Sequence, residues 1–444
     1  MAIRVLYLPA ARLTFDGELA KKVFQESQKV LASIKNVALT SPDGLLSDPD
    51  DLTKFIQSHG TTYDLVVFQD ITFVDGEFIN NTIDLVDAPV IIWGVREPSV
   101  GGRLRLNTLT GVMSTANTLQ TNNRRYLYLI GNPSDAETVQ KLEKQIDVLN
   151  LVHRLKSMNI GVVGKYPNGF FFSDTNNQVL HDTFGISIKN YELNDWFDES
   201  RKIKAADYQN ELQFAEKNIV GLNKTDDTVK HFAQFTTVAK KHINDDQLNT
   251  IAMRCWPDFF EQLHAAPCGV FSQLTDQGFP TACEADIHGS LSMYILQELT
   301  HGTAPYLGDV VNFIPEDNSI IMWHCGFSPY SLANQKTGAQ AGVHPNRKIG
   351  LAMDFGLKPG KVTLFRVSYT PKGYRFIITS GEVLDKDNLY NGTSAQIKLD
   401  PDVNQFLDQS IKEGYEPHFA LVYGDVTEQL AAMGHILNLN TIQI

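Results

Sequence analysis

Over the first 150 residues, short apolar runs alternate with stretches in which apolar residues recur every three to four positions. The runs Arg4–Leu8, Ala38–Thr40, Leu65–Gln69, Val90–Gly94 and Tyr126–Ile130 have the length of buried strands. Amphipathic stretches over about Glu18–Ile34, Asp50–His59, Asp75–Val86 and Pro133–Asn150 read as helices between them. Strands covered on both faces read as continuous apolar runs, so this order predicts a parallel sheet sandwiched by helices. Ligands of such sheets bind beyond the carboxyl ends of the strands. The loops there are Pro9–Phe15, Asp70–Val74 and Val95–Asn107.

A second alternating unit begins near Asn159, with a strand at Ile160–Gly164 and a Gly- and Phe-rich loop at Tyr166–Asp174. A strand at Ile186–Tyr191 and helices over Tyr208–Phe214 and Thr225–His242 follow, and alternation continues from Asn249 to Gly326. From about Lys361 the period falls to two. Lys361–Tyr369, Tyr374–Leu384 and Ala395–Leu399 carry β-branched and aromatic residues between Gly, Asn and Pro, which predicts antiparallel strands. A helix (Val403–Glu413), a strand (Phe419–Tyr423) and a helix (Thr427–Leu437) close the chain. The expected organisation is an α/β domain over 1–155, a second over 156–345 and a β-rich domain over 346–444.

Composition narrows the function. The 444 residues carry 38 basic and 51 acidic side chains, a net charge of −13. That argues against a dedicated nucleic-acid or anionic-membrane binder, which needs a basic face. No apolar run is long enough to span a bilayer, and the N-terminus reads as a strand rather than a leader. Four cysteines in a chain of this size, with no C-x-x-C pair, point to a reduced, cytoplasmic protein. The glycine spacing at Gly164–Gly169 is that of a P-loop, but Phe170 and Phe171 stand where Lys and a hydroxyl are required.

Three segments carry candidate chemistry. In Thr281-Ala-Cys-Glu-Ala-Asp-Ile-His-Gly289 a strand runs into acids just before a helix. Glu284 and Asp286, two apart on an extended segment, would share a face. Asp286 is read as a helix cap only. Glu284, between Cys and Ala, is read as a buried carboxylate in need of a partner such as a metal. The segment Tyr306–Gly326 reads as a hairpin, and a tight turn at Glu316–Asp317 with regular pairing places Asp309 opposite His324. Such a pair either shares a cation or is structural, and a slip of one residue would undo it. His418 stands at the mouth of a buried strand, where a lone His is more often structural. His264, His288, His301 and His344 rank lower, having no second ligand type beside them. One Glu, one Asp and one or two His form an O/N donor set suited to Mn²⁺ or a related divalent ion, and unlike the thiolate sets of structural zinc.

Taken together, the chain resembles the L-fucose isomerase and L-arabinose isomerase superfamily, most closely its fucose-isomerase-like branch. The resemblance runs nearly the whole length and rests on the order of five segments: Asp87–Asn107, Arg254–Phe259 (RCWPDF), Cys283–Met293 (CEADIHGSLSM), Thr303–Val310 (TAPYLGDV) and His418–Val426 (HFALVYGDV). It implies two Rossmann-like parallel-sheet α/β domains followed by a β-rich, antiparallel barrel-like domain. Glu284 and Asp309 match the metal-binding, acid/base carboxylates and His418 the metal-binding His of the last domain. His324 matches a further metal-site His of the arabinose-type enzymes, which the fucose type lacks. The implied cofactor is Mn²⁺, or another divalent cation such as Mg²⁺ or Co²⁺. The implied reaction is aldose–ketose isomerisation through a cis-enediol, with the cation as Lewis acid on O1 and O2.

The resemblance also implies a homo-oligomer, hexameric or trimer-based, with active sites between subunits, so that loops around Arg12, Phe73 and Arg103 act in trans. Trp256 and Lys165 join them as candidate substrate contacts. The chain is shorter than typical members of either enzyme, so neither L-fucose nor L-arabinose is indicated. Arg12, Arg103, Arg105, Lys165 and Arg254 lie in or beside candidate loops and fit a sulfonated or other anionic sugar, unless they pair with local acids such as Glu97 and Asp258. The competing functions are a non-catalytic sugar-binding or regulatory protein and a metal-dependent aldolase-type lyase on the same scaffold.

Overall fold

In the computed structural model, which describes residues 2–444, the apolar runs of the first segment form strands β1 (Ile3–Ala10), β2 (Val37–Thr40), β3 (Leu65–Asp70), β4 (Val90–Gly94) and β5 (Tyr126–Ile130). Helices α1 (Gly17–Ser33), α2 (Pro49–His59), α3 (Gly76–Leu85), α4 (Thr108–Thr121) and α5 (Ala136–Leu155) connect and follow them. Short acids start three of these helices: Asp16, Asp48 and Asp75 each accept a backbone N–H in the first turn. The sheet is fully parallel in the order β2-β1-β3-β4-β5, with separate apolar cores on its two faces. Its strand order reverses between β1 and β3, the position where such sheets bind ligands. This sheet and its helices, up to His153, form one unit together with Ala432–Asn438, and Arg154–Ala431 with Leu439–Ile444 form the other.

The second unit opens with β6 (Asn159–Val163), α6 (Asn177–Phe184), β7 (Ser187–Tyr191), α7 (Leu193–Ser200), α8 (Gln209–Asn218), β8 (Ile219–Val220) and α9 (Asp227–Asp245). It continues through β9 (Thr250–Met253), α10 (Cys268–Asp276), β10 (Thr281–Ala282) and α11 (Ile287–Leu299). Strands β10-β9-β6-β7 make a second parallel sheet. Then come β11 (Tyr306–Ile314), β12 (Ser319–His324), β13 (Ala339–Gly342), β14 (Ala352–Met353), β15 (Phe355–Gly356), β16 (Gly360–Thr370), β17 (Gly373–Val383) and β18 (Thr393–Leu399). Helix α12 (Val403–Lys412), β19 (His418–Tyr423), α13 (Thr427–Ile436) and β20 (Asn440–Gln443) finish the chain.

The pairings β18-β12-β11-β19-β16-β17, with β17 returning to β18, close an antiparallel barrel. Two of its strands, β11 and β12, precede residue 345. Strands β15 and β20 add in parallel at β18 and β17. Helix α11 packs against β9, β16 and β19, so it lies between the second sheet and the barrel. Every residue of α11 except Glu298 is buried, which explains its lack of a polar face.

Candidate active site

The carboxyl end of the second sheet meets the mouth of the barrel within the second unit. Strand β10 is two residues long, so the expectation that Glu284 and Asp286 share an extended face fails. Cys283–Ala285 make one tight 3-10 turn in which Glu284 (φ 58°) and Ala285 (φ 50°) are left-handed. That conformation costs roughly 1–2 kcal/mol per non-glycine residue, and it turns both acids onto one imidazole. The nitrogen Nε2 of His418 lies 3.3 Å from Glu284 Oε2, and Nδ1 lies 2.9 Å from Asp286 Oδ2.

Asp286 caps α11 as expected, accepting the Gly289 N–H at 2.9 Å. It does more than cap. Fully buried Arg366, from β16, donates to both of its oxygens at 2.6 and 3.1 Å. Burial alone would push the Asp286 carboxyl up, but Arg366 and His418 hold it well below the usual carboxylate range. Burial likewise opposes charge on His418, yet bonds to Asp286 and Glu284 and the field of Asp309 raise its pKa to about 10. A side-chain charge inside the apolar run Val362–Val367 was itself a signal of a buried partner, and sequence reasoning missed it.

The hairpin carries a correction. Near the turn Asn312 pairs with Ile321 and Ile314 with Ser319, but a bulge between Val310 and Asn312 shifts the ladder, so Asp309 faces Trp323 rather than His324. On its other edge Asp309 pairs with His418, and its Oδ1 lies 3.4 Å from Nε2. Burial raises the Asp309 pKa, with nearby Asp286 adding and His418 opposing. His324, at the end of β12, still arrives at the site: Glu284, His324 and His418 place ligand atoms within 4.8 Å of one another. Asp309 stands outside that trio and meets it through His418. His324 Nδ1 accepts the Cys325 N–H at 2.9 Å, and Nε2 is buried without a partner. Burial pushes the imidazole pKa down to about 3, so the ring is neutral and carries its proton on Nε2.

These donors fit a divalent cation. They are carboxylates and imidazole, three carboxylates already surround His418, and Asp286 fixes the ring so that Nε2 faces Glu284 and Asp309. Glu284, Asp309 and His324 line a cavity of about 650 Å³ walled by Phe170, Phe172, Trp256, Phe260 and Trp323, with His344, Asn346 and Arg347 also on its lining, and His418 stands behind the two carboxylates. The Trp256 indole donates to Glu284 Oε1 at 3.3 Å, and Phe172 packs edge-on to His418. All four cysteines, Cys255, Cys268, Cys283 and Cys325, line this cavity as free thiols. Burial pushes Cys268, Cys283 and Cys325 up, away from the thiolate form.

The remaining candidates lie elsewhere. Lys165 lines a neighbouring cavity with Arg254 and Asp174. Arg254 pairs with Asp258, Arg105 with Asp16 and Arg12 with Asp75, so local acids take up three of the five basic candidates. Glu97 accepts backbone N–H groups of Arg105, Leu106 and Asn107 instead. In the first unit the loops of Arg12, Phe73 and Arg103 meet at the β1/β3 reversal: the Arg12 N–H donates to Thr72 Oγ1 at 2.7 Å, Phe15 packs on Phe73, and Arg103 donates to the Thr14 carbonyl at 3.0 Å. No helix among the described residues is long and apolar enough to cross a membrane.

Residues 339–444 match the C-terminal domain of L-fucose isomerase. A sulfoquinovose isomerase of Priestia megaterium (strain ATCC 12872 / QMB1551) is 48% identical over 438 residues, 98% of each chain. One of Alkalicoccus urumqiensis is 46% identical over 442 residues, 100% of this chain and 99% of its own. A third, of Clostridium sp. (strain MSTE9), is 34% identical over 443 residues, 98% of each chain. With full-length similarity at this level and the C-terminal domain match, the chain belongs to the L-fucose isomerase-like superfamily of sugar isomerases, in the group that includes the sulfoquinovose isomerases.

Proposed function

We propose that this protein isomerises sulfoquinovose, a 6-sulfonated aldose, to its 2-ketose with the help of a divalent cation. The observation that carries this reading is that Glu284, Asp309 and His324 line one cavity with His418 in contact with both carboxylates, in a chain similar end to end to sulfoquinovose isomerases. Glu284, Asp309 and His418 would hold the cation. When bound, Mn²⁺ or a related ion supplies Lewis-acid polarisation of the sugar's O1 and O2.

The chain's own residues do the rest. One of the two carboxylates, Glu284 or Asp309, takes the C2 proton. The freed electron pair forms the C1–C2 double bond of a cis-enediol as O1 gains a proton. A proton then returns to C1 as O2 gives up its own. His324 would donate from Nε2 to a substrate oxygen, a role supported by its nearness to Glu284 and His418. The aromatic residues of the wall would give the enediol an apolar surround. The oligomer belongs to the same reading, with Arg12, Phe73 and Arg103 of one subunit covering the pocket of another.

The test is incubation with sulfoquinovose and Mn²⁺ in D₂O. Ketose formation, with deuterium at C2 of recovered aldose, is expected, and chelation should stop both. Glu284→Gln should abolish exchange and turnover. Binding with no exchange would establish a non-catalytic sugar protein instead, and carbon–carbon cleavage a lyase.

A further inference from the structure

Of the arginines in the second unit, Arg154, Arg201, Arg254, Arg366 and Arg375 each have a carboxylate within 4.0 Å. Arg347 has none among the described residues. It is also the one cationic side chain among the residues lining the active-site cavity. We propose that Arg347 recognises the sulfonate of the sugar and so determines substrate specificity, an inference that rests on the reading of this cavity as a sulfosugar isomerase site.

The surroundings of Arg347 are built to present a cation. His344 is buried, and its Nδ1 accepts the backbone N–H groups of Asn346 and Arg347, each at 3.3 Å, which shapes the turn. The His344 ring packs edge-on to Phe260 at 5.0 Å. The Arg347 guanidinium lies over the same Phe260 ring, 5.8 Å from its centre. A ring face attracts the cation and orients it without using its N–H donors. All five donors therefore remain for an anion, and the planar fork matches two oxygens of a sulfonate at once. The carboxylates lining the cavity, Glu284 and Asp309, are engaged with His418. A sugar whose C1–C2 end sits at those carboxylates would place its C6 substituent at another part of the wall, and Arg347 is the group there that can offset its charge. The five basic residues singled out from sequence do not include it.

Steady-state kinetics of the full-length, Mn²⁺-loaded protein on sulfoquinovose test this. Arg347→Met should raise KM about 10- to 100-fold, with a much smaller effect on kcat. Arg347→Lys should fall between, since it restores charge but not the fork, and it carries the test alone if the Met variant does not fold. A KM within threefold of wild type in both variants, or a collapse of kcat at unchanged KM, would overturn the assignment while leaving the isomerase reading intact. If the wild-type protein neither converts sulfoquinovose nor exchanges its C2 proton, the reading of the cavity fails, and the role of Arg347 with it.

Discussion

Asp286 joins three elements through two oxygens. It caps α11, neutralises buried Arg366 of β16, and holds the His418 ring at the start of β19. Gly289 must be glycine for this to work, because a Cβ there would lie 2.4 Å from Asp286 Oδ2. Asp286→Asn keeps the shape and removes the charge. It leaves Arg366 buried with only Glu416 nearby, at 3.9 Å. Breaking a buried pair in this way costs about 3–5 kcal/mol, and, on the proposed function, loosening the partner of His418 should lower metal affinity about 10- to 100-fold. Urea denaturation and Mn²⁺ titration of the variant check both, and a stability loss under about 1 kcal/mol would show that the triad does not bear load. The capping half of this role was legible, since an acid just ahead of an apolar helix is a local pattern. The pairing half was not. Arg366 lies 80 residues away, and a buried charge in a strand announces a partner without naming which of 51 acids it is.

Strand periodicity gave the barrel its strands, but not the placement of Asp309. The ladder from the turn is regular as far as Asn312, where the spacing expected from sequence applies, and the bulge at Val311 then moves Asp309 onto the face it shares with Trp323 and His418. Nothing in Asp309-Val-Val-Asn-Phe313 marks that bulge, as it contains no glycine or proline. Its presence makes a sharp prediction. Removing Val311 leaves Val310 opposite Met322 and Asn312 opposite Ile321, a continuous ladder, so Asp309 keeps its face and the variant should retain Mn²⁺ binding and most of its turnover. In an unbulged hairpin the same deletion would flip Asp309 to the opposite face and abolish activity. Assays of the Val311 deletion therefore distinguish the two registers. The left-handed turn at Glu284–Ala285 was hidden for a similar reason: its residues are not those that favour positive φ, and only tertiary packing holds them there.

Across the whole molecule, the elements were readable because burial on two faces, or on one, leaves a period in the sequence, whereas the site depends on contacts between segments more than a hundred residues apart, such as Glu284 with His418. The same distant packing gives the protein a pH dependence. Burial, with Arg366 adding, pushes His288 of α11 down to about pH 4, where Nε2 bonds Thr175 and Tyr374 at 3.2 and 3.3 Å. A His with a depressed folded pKa stabilises fully above its unfolded value of 6.5, because there neither state is protonated. Between pH 6.5 and about 4 the unfolded chain takes up a proton that the folded one refuses, so stability falls as pH falls. His344, also pushed down to about 4, acts in the same direction. His418 does not contribute in that window: its raised pKa of about 10 makes it charged in both states below 6.5, and its stabilisation is lost only on the alkaline side. For His288 the window corresponds to about 3 kcal/mol. His288→Gln keeps a neutral hydrogen-bonding side chain that does not titrate. Urea denaturation across this range should therefore show wild type losing about 3 kcal/mol more than the variant, and parallel pH profiles would mean that His288 takes up its proton in the folded state.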